Sequence, residues 1–123
     1  MLLRVQPDSR VPLGEQIAAC VRGALADGTT LPGERLPPAR EVAASLGVNV
    51  HTVLRGYQRL RDEGLIELRR GRGAVVRADE STRGRARLLT AARSLIAEAR
   101  GLGLADEDVL SLVRTALAAG PAE

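Results

Sequence analysis

The chain has 123 residues, 45% hydrophobic and 27% charged, enough for one moderate domain or for a small domain with an appendage. No apolar run nears the roughly 18 residues of a membrane span, the opening MLLRVQPDSR lacks the apolar core of a signal peptide, and one cysteine with one histidine leaves no disulfide framework and no set of zinc ligands. All 18 basic residues are arginine; residues 1–78 hold 12 of them against 8 acids (+4) and residues 79–123 hold 6 against 7 (−1), so the first part is the one suited to a polyanion.

These features predict a cytoplasmic protein with no cofactor and no metal. The single aromatic residue, Tyr57, offers no stacking platform for unpaired bases, which disfavours single-stranded nucleic acid but not duplex DNA. Cys20 reads as a small buried hydrophobe.

In chain order, PLGEQIAACVRGALA places Leu13, Ile17, Val21 and Leu25 at i, i+4 spacing after Pro12 and before Gly28, an amphipathic helix. TTLPGERLPP reads as a turn. PAREVAASL is a second short helix, from Pro38 to the stop at Gly47. Two residues later Asn49 can cap a third helix running towards Gly64 by accepting from the N–H of His51 or Thr52, with Val53, Tyr57 and Leu60 facing the core. Two short helices joined by a glycine-containing turn form a helix-turn-helix.

After Gly64 the period shortens. LIELRR and GAVVRA around GRG predict a hairpin, which makes the whole a winged helix, with the tip Arg70, Gly71, Arg72 and Gly73 able to approach a phosphate backbone closely. A boundary falls near residue 79, giving a DNA-binding domain over 1–78 and a helical dimerisation tail over 79–123. In the tail Leu88, Ala92, Leu95, Ala99 and Leu102 recur with 4, 3, 4, 3 spacing, widened by Leu89 and Ile96. Leu104 and Val109 suit a hydrophobic staple around the start of a last helix, which carries Val109, Leu112, Val113 and Leu117. Two helices with apolar faces and no third layer must bury them against the winged-helix domain, against another copy of themselves, or both. The fold class expected is therefore α+β, mostly α.

No catalytic constellation stands out. The lone His51 lies at a helix start, GRGAVV lacks the third glycine of a dinucleotide fingerprint, and there is no lysine for a P-loop. An enzyme is not expected. Glu41, Glu63 and Glu67 read as solvated or ion-paired surface charges, and Arg4, Arg22, Arg83, Arg85, Arg87, Arg93, Arg100 and Arg114 as solvated faces or surface pairs. The candidates for DNA contact are Arg35, Arg40, Asn49, Val50, His51, Thr52, Arg55, Arg59, Arg70, Gly71, Arg72 and Gly73. Competing readings are a winged-helix protein-interaction module, or a small-molecule sensor with its site at a dimer interface.

The motifs LPGERLPPARE, LGVNVHTVLRGYQRLRDEGLIE and RRGRG, in this order over residues 11–76, closely resemble the DNA-binding domain of GntR-family bacterial transcription regulators. The 45-residue remainder resembles the short two-helix tail of the YtrA subfamily. The resemblance implies a homodimer on a pseudo-palindromic operator, a repressor of an operon that can encode an ABC-type transporter, and an effector of unknown identity if there is one. It implies DNA contact by Arg40, by Asn49, His51 and Thr52, and by the wing glycine Gly71. Val50 departs from the arginine or proline frequent in the family, which restricts any readout there to apolar contact, for example with a thymine methyl. Pro38 departs from a frequent serine.

Overall fold

The computed structural model describes residues 3–121, in the order α1 (Leu13–Asp27), α2 (Ala39–Leu46), α3 (Val50–Asp62), β1 (Ile66–Arg69), β2 (Gly73–Val76), α4 (Ser81–Gly101) and α5 (Asp106–Ala118). Among the described residues, five helices and one small hairpin make the α+β, mostly helical class expected. The chain divides into two compact units, Met1–Thr90 and Ala91–Glu123.

In the first unit the apolar stripe of α1 becomes the core: Ile17, Val21 and Leu25 are fully buried, joined by Val42 and Ala43 of α2 and by Val53, Tyr57 and Leu60 of α3. Burying a side chain of this size contributes about 1.5–3 kcal/mol. Helices α1 and α3 cross where both carry glycine. A Cβ built on Gly56 would lie 2.7 Å from the carbonyl oxygen of Gly14, and one on Gly14 would lie 3.2 Å from that of Thr52, so the two backbones approach as only glycine allows.

The hairpin pairs Ile66 with Val76 and Arg69 with Gly73, antiparallel. The stretch expected to be only a turn does more. It does turn, with Glu34 N–H donating to Leu31 O (3.2 Å), but residues 33–36 then lie along the other edge of β2. Gly33 N–H donates to Val76 O (3.0 Å), Val76 N–H to Glu34 O (2.8 Å) and Leu36 N–H to Ala74 O (2.8 Å). Pairing stops there because Pro37 and Pro38 bring no N–H to continue it.

Arg22, expected on a solvated face or in a surface pair, is instead buried, 2% exposed. Its guanidinium donates to both carboxylate oxygens of Glu63 (2.9 Å each) and to Glu15 (3.2 Å), fastening the end of α3 to the middle of α1. A guanidinium fork meets a carboxylate in two parallel bonds, which is why arginine serves this place better than lysine.

The first unit also extends past the boundary expected at residue 78. The opening turns of α4 dock on it: Ala86 is fully buried and Leu89 packs against the core. Arg87 and Arg83 donate to Ala26 O near the end of α1 (3.1 and 3.5 Å), and Arg85 donates to Glu63 O at the end of α3. Cations on terminal carbonyls satisfy acceptors the helix leaves open and complement its dipole. These three arginines are thus anchors, not merely solvated charges.

In the second unit α4 ends at Gly101, and α5 begins after Ala105, whose N–H donates to the Asp108 carboxylate (2.9 Å). Ala99 is buried, and Leu95, Ile96, Leu104 and Val109 are half-covered. Helix α5 contains no buried residue.

Candidate nucleic-acid interface

Helix α3 owes its position to both of its ends. Gly47 closes α2, Val48 N–H returns to Ala43 O (3.0 Å), and the Asn49 carboxamide accepts from His51 N–H at 2.8 Å, as its spacing predicts. At the far end Glu63 takes Arg22, and the Tyr57 hydroxyl donates to Pro37 O at 2.6 Å, tying α3 to the segment that starts α2.

Because one side of α3 is spent on Val53, Gly56, Tyr57 and Leu60, the outward line is fixed by geometry. At about 100° per residue, seven steps from His51 come within ~20° of its direction, whereas eight steps stray by ~80°. The outward line is therefore His51, Arg55, Gln58 and Asp62, all exposed. Gln58 is not among the residues singled out from the sequence; counting from the buried residues finds it. Arg59 is turned aside, its Nε 3.6 Å from Glu15 of α1. Val50, at the very start, is half-buried and packs against the core, a role that competes with the thymine-methyl contact expected of it.

Depressions lie on both sides of α3. On the α1 side a recess of about 320 Å3 gathers Thr52, Arg55 and Arg59 with Pro12, Leu13, Gly14 and Glu15. On the wing side a cleft of about 620 Å3 has Leu54, Tyr57 and Leu68 among its apolar lining and Arg35, Arg69, Arg70 and Arg72 as its charged groups. Arg69 was not singled out from the sequence, although strand alternation sets it on one face with Glu67, its ion-pair partner at 2.7 Å. Arg40 is exposed in the first turn of α2, and Asn49 and His51 lie at the exposed start of α3, outside both depressions. At the wing tip Gly71 and Gly73 have φ of 81° and 70°.

A helix edge that presents polar side chains beside an arginine-rich hairpin suits duplex DNA, the helix being able to enter a major groove while arginines meet phosphate. Residues 13–76 match the family model of the gntR family of bacterial regulatory proteins. The chain belongs to that family. GntR-family members are DNA-binding transcription regulators, and their relatives here are regulators, not enzymes.

The chain is 45% identical to the HTH-type transcriptional regulator Rv0494 of Mycobacterium tuberculosis over 75 residues, 61% of this chain and 31% of that protein. It is 35% identical to the HTH-type transcriptional repressor YtrA of Bacillus subtilis over 81 residues, 66% of this chain and 62% of that protein. In both cases the matched stretch spans less than two thirds of the relative. Among solved structures, YtrA from Sulfolobus acidocaldarius, a GntR-family transcription factor, is similar with a TM-score of 0.60 and 34% identity, over 78% of this chain and 99% of that one.

Among the described residues no helix is long and apolar enough to cross a membrane, and no group of three or more His, Cys, Asp or Glu could hold a metal ion.

Proposed function

We propose that the chain is a homodimeric, sequence-specific regulator that represses an operon by occupying a pseudo-palindromic operator in the cytoplasm. The observation that carries this reading is the outward line of α3, polar along its length and flanked by the arginine-bearing wing, while the opposite side is consumed in the core. In this reading Arg40, Arg70 and Arg72 neutralise phosphates, and Gly71 and Gly73 let the tip approach the backbone. His51, Thr52, Arg55 and Gln58 read base edges, with Asn49 fixing the start of their helix. Arg59 and Val50, held by Glu15 and by the core, shape the helix more than they read.

The exposed Leu88, Leu102, Leu112, Val113 and Leu117 support dimerisation through the tail, joined by the exposed Leu110 and Ala92; the half-buried Leu95, Ile96 and Val109 can contribute only in part, and Ala99 is already buried within the tail. Repression rests on likeness to the Bacillus subtilis repressor, and an ABC-transporter operon as target rests on resemblance to the YtrA subfamily.

The test is selection of duplexes from a random pool, followed by gel-shift titration in salt. Affinity is expected to fall linearly in log–log form, and Arg40→Ala to weaken all duplexes while lowering the slope by about one. His51→Ala should instead reorder the preferred sequences. Binding unaltered in both variants, per folded molecule, would overturn these roles.

A further inference from the structure

Arg35 is expected from the sequence among the DNA contacts, but its bonds lead elsewhere. Its backbone pairs with Val75 on the outer edge of β2, and its Nε donates to the carbonyl oxygen of Arg72 at 3.1 Å. That carbonyl lies beyond the last rung of the hairpin, Arg69 with Gly73. Arg72 itself stands between Gly71 and Gly73, both at positive φ, where the backbone has its widest freedom. The tip is also closed by Arg72 N–H donating to Arg69 O at 3.1 Å, a bond that fixes the turn but not its inclination to the rest of the domain. The Arg35 bond supplies the second constraint, because it reaches the tip from a segment outside the hairpin, spanning 37 positions of sequence.

We infer that Arg35 is a positioning residue for the wing: it holds the tip in one inclination, so that Arg70 and Arg72 reach DNA already ordered. This rests on the DNA-binding reading above. Ordering the tip before binding removes a conformational cost otherwise met on association, and affinity rises without a new contact. Arg35 then acts on DNA through Arg70 and Arg72, and its contribution disappears when they do.

Two measurements test the inference. In the free protein, amide relaxation by NMR should show Gly71, Arg72 and Gly73 losing order in Arg35→Ala while His51 to Arg55 and the thermal midpoint stay as in the wild type. Tip amides as ordered as before would overturn the inference whether or not the protein binds DNA, and so would a lowered midpoint with disorder spread through the domain. With a duplex selected by the wild-type protein, Arg35→Ala should weaken binding by about five-fold on the intact wing, the size of coupling seen between groups sharing one network, and by less than about two-fold where Arg70→Ala and Arg72→Ala are already present. Equal losses on both wings would mean that Arg35 touches DNA itself and would sink the positioning role. A wild-type protein that selects no duplex would overturn the proposed function alone, since the relaxation measurement still decides what Arg35 does to the tip.

Discussion

Tyr57 is the single aromatic residue of the chain, 3% exposed, with its hydroxyl on Pro37 O. Burial pushes its phenol up from 10 to about 12. A phenol that holds its proton more tightly when folded than when unfolded stabilises the fold fully below about pH 10, and that contribution is lost as pH rises from about 10 through 12. With no lysine in the chain, no ammonium side chain titrates in that window. Absorbance of the phenolate should therefore rise with a midpoint near 12, together with loss of helical circular dichroism. A midpoint near 10 with helicity intact would show that the hydroxyl is open to solvent. The consequence reaches the interface, because the same hydroxyl holds α3 against the segment preceding α2.

The contact between α1 and α3 is decided by glycine. In Gly56→Ala the new methyl would meet Gly14 O at 2.7 Å and Ile17 Cγ2 at 3.2 Å, one of them backbone, so α3 must move away from α1. The expected cost is about 1–3 kcal/mol, read from urea unfolding, with a loss of DNA affinity because the outward line tilts. Unchanged stability and affinity would mean that the crossing has slack the geometry does not suggest. The helices and the hairpin were legible in the sequence because their signals are local: period 3.6 along Ile17, Val21 and Leu25, Asn49 before His51, glycine at each stop. What escaped depends on partners far along the chain. Arg22 looks like any polar position on an amphipathic helix until Glu63, 41 residues on, is brought beside it. The edge pairing of residues 33–36 needs β2 to exist first. Gln58 is a smaller case: its outward direction follows only once Val53, Gly56, Tyr57 and Leu60 are known to be buried.

At the scale of the molecule, the tail has too little cover for its own apolar residues. Leu102 is 80% exposed and Leu117 75%, with Leu110, Leu112 and Val113 also open. If these faces join two copies, Leu112→Asp with Leu117→Asp should sediment as a monomer. It should also bind a two-half-site operator more than about ten-fold more weakly, because the second half-site loses its tethered partner. A variant that still sediments as a dimer would remove the tail from the interface. The docking of residues 81–90 has a different consequence, for recombination. Ala86 lies in the core of the first unit and Leu89 packs against it, and the arginines between and before them occupy the carbonyls of Ala26 and Glu63. A chimera joining this DNA-reading head to a foreign sensor must cross over at or after Thr90, in the middle of a helix. A crossover in the loop after the wing, although it looks like the natural seam, would carry off part of the head with the tail.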